Sequence, residues 1–295
     1  MNWMKFKFLY FALSLLVLIP GITSLFLHGL RPSIDFTGGA LLELKFSLQS
    51  SVISHQSLKE LIEEQGFEVS SVQSSGEKTL LVRMKPISKD DVATIKTALA
   101  EKFGEMPEEL RFETVGPTLG KELLLKTIVA IILAAGFILA YVAWRFKDLK
   151  FGVCAILAMF HDSFILLGSF SLLGHFFGVE VDTLFVTAVL TLLSFSVHDT
   201  VVVYDRIRES QKKLPDTPLV DLVNKAITET LSRSINNSLT IIFMLIALLL
   251  LGGVTIRWFV AALLIGTIAG TYSSTFTAAP LLVIWEQIEK RRKKT

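Results

Sequence analysis

Two acids stand where charge is least expected. In "SVHDTVVVYDR" Asp199 follows His198 inside a run that otherwise reads as a membrane helix, and in "MFHDSF" Asp162 follows His161 inside another. An ionised side chain at the centre of a membrane helix costs roughly 2.5–3.5 kcal/mol on insertion scales, so such residues persist when they line a pathway or find a partner. A basic group is available: Arg233 in "TLSRSINNSLT" opens the next apolar stretch from the same side, with Asn236 and Asn237 three and four residues on and thus on its helix face. Arg233, Asn236 and Asn237, helped by Ser234, Ser238 and Thr240, would form a polar wall facing Asp199, about five residues or roughly 8 Å from the helix end. A carboxyl between apolar surroundings and a guanidinium can bind and release a proton. Two plainer readings stand beside this one. Asp162 would only bond His161 or a nearby helix, and Asp199 would be a structural polar contact.

Covalent chemistry finds no support. Ser196, His198 and Asp199 are too closely spaced on a helix to converge as a triad. There is no H-E-x-x-H, and Tyr204-Asp205 lacks the G-x-G-D half of an intramembrane aspartyl protease. The single Cys154 lies in an apolar run, and no Cys/His cluster has metal-ligand spacing. No catalytic residue, metal or cofactor is expected.

The elements that must position these groups follow from hydropathy. The chain is 52% hydrophobic with a mean hydropathy of +0.58, which points to a polytopic membrane protein. A bilayer asks for roughly 20 apolar residues per helix. Six stretches qualify, near 8–27, 123–144, 151–173, 183–204, 236–251 and 258–285. The first is too long for a signal-peptide core and is read as a retained helix. Lys5 and Lys7, then Arg145, Lys147 and Lys150, then Arg206, Arg208, Lys212, Lys213, Lys225 and Arg233, and finally "EKRRKKT" all fall on one side. By the positive-inside rule both termini are cytoplasmic. An amphipathic helix near 217–232, with Thr217 as cap and Pro218 at its first position, would lie at that membrane surface.

The expected division is therefore residues 1–30 as the first transmembrane helix, 31–121 as an extracytoplasmic α+β domain, and 122–295 as helices two to six. Within 31–121 the pattern reads β-α-β-β-α-β, a ferredoxin-like unit. "GALLELKF" and "LRFETVG" are strands, and "SHQSLKELIEEQG" is a helix with Ser57 and Glu60 spaced as a capping box. "FEVSSVQ" and "KTLLVRMK" flank a Ser75-Gly76 hairpin turn, and Ser88 caps a helix that Gly104 ends. In the last apolar stretch Ala262, Gly266, Gly270, Ser274 and Ala278 recur every four positions, with Gly266 and Gly270 as a G-x-x-x-G packing face.

"IDFTGGALLELKF" (34–46), "SFSVHDTVVVYDRIRES" (194–210), "TLSRSINNSLT" (230–240) and "GTIAGTYSSTFTAAPLL" (266–282) together resemble the SecF family over the whole chain. That family is the smaller half of the SecD–SecF accessory complex of bacterial protein export, within the resistance-nodulation-division superfamily. The sequence departs from the family pattern at Ser33, where glycine is usual, and at His198, where asparagine is usual, which leaves the coupling ion open between H⁺ and Na⁺. The resemblance implies an inner-membrane subunit that pairs with SecD, acts at SecYEG after SecA, and uses the ion gradient to draw a preprotein out. It implies Asp199 and Arg233 in the ion pathway, and Asp35, Phe36, Gly38 and Gly39 as the signature and hinge leading into the outer domain. A nucleic-acid partner is not expected. A small-molecule efflux transporter of the same superfamily is an alternative, though such pumps carry two large outer domains. A non-conducting scaffold is another, and it would tolerate loss of Asp199.

Overall fold

The computed structural model describes residues 2–47, 54–74, 78–146 and 148–292. By their contacts these fall into two units, Met1–Arg31 with Val129–Thr295, and Pro32–Ile128. The Ser75-Gly76 turn, Lys147 and the last three residues of the basic tail lie outside the described residues.

Helix α1 (Lys7–His28) follows a 3-10 turn, Trp3–Phe6. The second unit then opens with the short helix α2 (Ile34–Thr37), capped by Ser33, whose Oγ accepts from the Asp35 backbone N–H at 3.2 Å. Strand β1 (Gly39–Lys45) is followed by helix α3 (His55–Glu64), strands β2 (Val69–Ser74) and β3 (Thr79–Met84), helix α4 (Lys89–Phe103) and strand β4 (Glu108–Val115). The sheet order is β2-β3-β1-β4, antiparallel throughout. This is the βαββαβ order expected from the sequence. Leu42 and Leu44 of β1, Leu80 and Val82 of β3, Leu58 and Ile62 of α3, and Val92, Ile95 and Leu99 of α4 make its core.

One cap differs from expectation. Helix α3 starts with Ser54 as its N-cap, and Ser57 donates its backbone N–H to Ser54 Oγ at 3.4 Å. Leu58 is fully buried and must lie inside the helix to reach the core, which moves the boundary a turn earlier than a Ser57 cap allows. Helix α4 carries a full capping box between Ser88 and Asp91 and ends on Gly104 in the left-handed region. The Ser88 backbone N–H, and then its hydroxyl, hold the Asp91 carboxyl below the usual aspartate range.

Helices α5 (Pro117–Arg145), α6 (Leu149–Phe177), α7 (Thr183–Lys213), α8 (Leu219–Leu251), α9 (Val254–Ser273) and α10 (Ala279–Arg292) follow, with a π-helical turn, Ser274–Ala278, between the last two. Among the described residues, six helical stretches are long and apolar enough to cross a membrane; α9, the π turn and most of α10 make up the sixth. Pro280 has no N–H to give to the preceding turn, which accounts for the change of helical register just before it. Helices α6, α7 and α9 form the interior, while Leu125, Ile132 and Phe137 of α5 are exposed. Helices α1 and α6 touch backbone to backbone: a Cβ on Gly168 would lie 2.7 Å from the Gly21 Cα.

The stretch expected as a separate surface helix is the first part of α8. Residues 219–251 contain neither proline nor glycine, so nothing interrupts the helix where it reaches the apolar run. Pro218 stands at the N-cap rather than at the first helical position, and Thr217 makes no cap. Leu219, Val223, Ala226 and Ile227 pack into a cluster with Phe151, Tyr204 and Leu282, so that face is covered by protein.

Candidate functional site

Asp199 and Asp162 are both inside the bundle. Asp199 is 6% exposed on α7, and its Oδ2 accepts from Ser234 Oγ of α8 at 3.0 Å. Asp162 is 0% exposed on α6. Its Oδ2 accepts from Ser273 Oγ of α9 at 2.6 Å, and its Oδ1 lies 2.9 Å from His161 Nδ1. Each carboxylate thus has hydroxyl contact from a neighbouring helix, as a buried acid must have some polar partner.

Of the residues expected in the polar wall, Ser234 is the one that bonds Asp199. Ser234, not Arg233, meets Asp199; one residue along a helix turns the side chain by about 100°. Arg233, Asn236 and Asn237 lie on exposed faces of α8. Arg233 lines a groove with Asp205, Arg206, Glu209 and Glu229 but makes no hydrogen bond or ion pair with another described residue. The charges around it are paired to one another: Arg206 with Glu209 and Glu229, both at 2.6 Å, and Asp205 with Arg145 and Arg208. His198 lines a groove with Phe137, Tyr141 and Val201.

The small residues of α9 set how closely α7 approaches. A Cβ on Gly266 would sit 3.0 Å from Leu192 Cδ1, and one on Gly270 would sit 3.2 Å from Phe195 Cδ1 and 3.5 Å from Ser196 Cα. Ser238 and Thr271 bond hydroxyl to hydroxyl at 2.6 Å between α8 and α9. In the α+β unit, Gly38 has φ +73 and Gly39 φ +131. A Cβ on Gly38 would lie 2.7 Å from the Pro117 Cα, and one on Gly120 would lie 2.8 Å from the Gly38 nitrogen. Phe36 is buried beside this contact, so the "DFTGG" stretch rests on the first turn of α5.

Ser273 is the site residue that sequence reasoning missed. Its one signal was the hydroxyl-rich run "TYSSTFT" in an apolar helix, which gives no hint of which hydroxyl turns inward. Among the described residues, no three His, Cys, Asp or Glu side chains gather to hold a metal.

This architecture has relatives. Residues 94–288 match the family model for the C-terminal part of the protein export membrane proteins SecD/SecF, and residues 23–47 match the SecD/SecF GG motif. Protein translocase subunit SecF of Thermobaculum terrenum is 42% identical, with 96% of this chain and 93% of that one covered. The SecF subunit of Anaerolinea thermophila is 41% identical over 99% of this chain and 96% of that one. A crystal structure of SecDF, a translocon-associated membrane protein from Thermus thermophilus, superposes with a TM-score of 0.84 at 36% identity, covering 97% of this chain and 39% of that one. This chain thus spans about two fifths of that longer protein. With six apolar spans, one βαββαβ unit and both family motifs in place, the chain belongs to the SecD/SecF family of protein export membrane proteins.

Proposed function

We propose that this Sec translocase accessory subunit uses the proton or sodium motive force to promote preprotein translocation across the bacterial cytoplasmic membrane, with Asp199 as the ion-binding acid. The observation that carries the reading is a carboxylate 6% exposed in an apolar bundle, met by one serine hydroxyl. A group so placed changes its interactions when it changes charge. Asp162 is its second acid. Arg233, Asn236 and Asn237 stand uncovered in the chain by itself, as polar residues would that complete the ion path against a partner's helices. His198 acts at the margin of the path.

That partner is SecD. The relatives named SecDF, in Thermus thermophilus and Bacillus subtilis, match this chain over only 38% of their length, so in them a longer polypeptide contains the equivalent of this one. Further partners are SecYEG, the emerging preprotein and, indirectly, SecA. Both termini lie in the cytoplasm, on the strength of the Lys and Arg distribution, and the α+β unit lies outside. Gly38 and Gly39 serve as the hinge at its entrance.

The energy is sufficient. One charge crossing 100 mV releases about 2.3 kcal/mol, enough to bias a two-state movement about fiftyfold. The test is Asp199→Asn, expressed with SecD in cells lacking their own copies. Gradient-dependent export of a reporter preprotein should be abolished while the complex still assembles. Export at the normal gradient-dependent rate would overturn the reading.

A further inference from the structure

Helices α1 and α6 meet along a seam of like pairs. Gly21 lies against Gly168, Ser24 Oγ is 2.9 Å from Ser171 Oγ, and the His28 ring stacks on that of His175 with centroids 3.8 Å and planes 17° apart. The steps of three and then four residues are the same on both helices, so each uses one face throughout. The seam ends where the apolar runs end: His28 is the last residue of α1 and Phe177 the last of α6. There it opens into a groove of about 430 Å³ lined by Leu27, His28, Arg31, Ser171, Gly174 and His175. Neither Glu180 nor Asp182, the acids of the loop between α6 and α7, lines it. Arg31 is held in place: its carbonyl accepts from the Val181 N–H at 2.8 Å, and a Cβ on Gly174 would come 3.5 Å from its Cγ. One guanidinium nitrogen reaches the Gly174 carbonyl at 3.5 Å. Among the described residues its other N–H groups have no acceptor, and the nitrogens of His28 and His175 have no hydrogen-bond partner.

We propose that this groove holds the phosphate group of an anionic phospholipid of the outer leaflet, bound by Arg31 and the stacked His28–His175 pair. The leaflet rests on the orientation proposed above; the chemistry of the ligand does not. Arg31 is charged at any working pH, and each imidazole has an N–H to donate. Donors that converge from two helices with no acid among them call for an anion with several acceptor oxygens, and a phosphate has them. Carbonyls at the two helix C-termini are engaged by backbone N–H groups: Leu25 by Gly29, Leu173 by Val179 and Gly174 by Gly178. Below the groove Phe26, Leu27, Phe176 and Phe177 are each at least 69% exposed, an apolar flank on which acyl chains can lie. A free anion would have no use for that flank. A zwitterionic headgroup would bring an ammonium to a groove with no carboxylate to receive it. The position is notable for its charge as well: residues 174–182 contain no Lys or Arg, so Arg31 stands on the side of the bundle that is poor in cations.

The experiment places the full chain with its SecD partner in phosphatidylcholine vesicles that carry a photoactivatable phosphatidylglycerol in one leaflet, and maps the cross-linked peptides. Residues 26–31 and 171–177 should be labelled from the outer leaflet, and a photoactivatable phosphatidylcholine should label them far less. Arg31→Gln should cut the phosphatidylglycerol yield there about fivefold, the worth of one cation near a membrane surface. Arg31→Lys should restore part of it, and His28→Gln combined with His175→Gln should lower it too. Labelling of the basic cytoplasmic ends from the other leaflet should be unchanged in every variant, which reports that the complex is folded and inserted. Equal yields from the two lipids, or from wild type and Arg31→Gln, overturn the site. Loss of labelling on adding inorganic phosphate assigns the groove to free phosphate and overturns the lipid. Labelling of the groove from the cytoplasmic leaflet alone overturns the choice of leaflet. Asp199→Asn, which tests the ion-coupled reading, should leave the labelling as in wild type, so the two readings stand or fall separately.

Discussion

Leu42 of β1 and Asp162 of α6 are equally hidden, each at 0% exposure, yet they are hidden by opposite kinds of structure. Around Leu42 the α+β unit buries Leu44, Leu80, Val82 and Leu99 and turns lysines and glutamates to water. The bundle that holds Asp162 buries Ser273, Ser274, Thr200 and Ser196 and leaves Ile132, Leu133 and Phe137 exposed. The unit's interior is held by removing apolar area from water. The bundle gains little from that source, because lipid is as apolar as its own side chains. Its interior is held by close backbone contact, as at Gly21 and Gly168, and by hydroxyls that find partners. An acid in the first setting would be a defect; in the second it has the partners to exist and the dryness to matter.

Three measurements sharpen or break this contrast. The largest effect is expected in the unit, where Leu42→Ala should cost about 2–5 kcal/mol, read as lost hydrogen-exchange protection in β1 and β3 of the full chain. Protection unchanged would mean that the sheet is held by something other than its core. Next, Leu133→Asp on exposed α5 should cost roughly 2.5–3.5 kcal/mol in a membrane-insertion assay. Leu110→Asp on exposed β4 should stay within about 0.5 kcal/mol by unfolding. Equal costs would erase the difference between the two surfaces.

The smallest effect is a pH dependence confined to the start of α4. The folded Asp91 carboxyl is held below its usual range by Ser88. Its contribution is therefore fully present above the unfolded value of about 3.9 and is lost as pH falls through the folded value. Amide protection in the first turn of α4 should weaken in acid in the wild type. In Asp91→Asn it should already be low and should no longer respond to pH across that window.

Much of this contrast was legible beforehand. Runs of about twenty apolar residues announce membrane helices because the bilayer fixes their length. The alternation in "KTLLVRMK" and the 3–4 spacing of Val92, Ile95 and Leu99 announce the sheet and its helix because one face must be dry. Asp199 and Asp162 stood out by cost alone. What stayed hidden was anything set by rotation about a helix axis. Arg233 and Ser234 are neighbours in sequence, yet only Ser234 meets the acid, and a one-residue offset of α8 would reverse that. Ser273 reaches Asp162 at the point where α9 passes into the π turn, and no local pattern in an apolar run fixes such a phase. The surface helix was misjudged for the same reason. The polar side of 219–232 marks amphipathicity but does not say whether protein or lipid covers the apolar side.

Helix α8 runs unbroken for 33 residues, about 50 Å at 1.5 Å per residue. Its near end is latched to the start of the chain: Trp3 Nε1 donates to Thr228 Oγ1 at 3.0 Å, and the Met4 amide donates to Asn224 Oδ1 at 2.9 Å. A rod with no proline or glycine has no joint at which to absorb a push. The turn Trp3–Phe6 and the first turns of α8 are thus fastened to each other, on the same uninterrupted helix that carries Ser234 to Asp199.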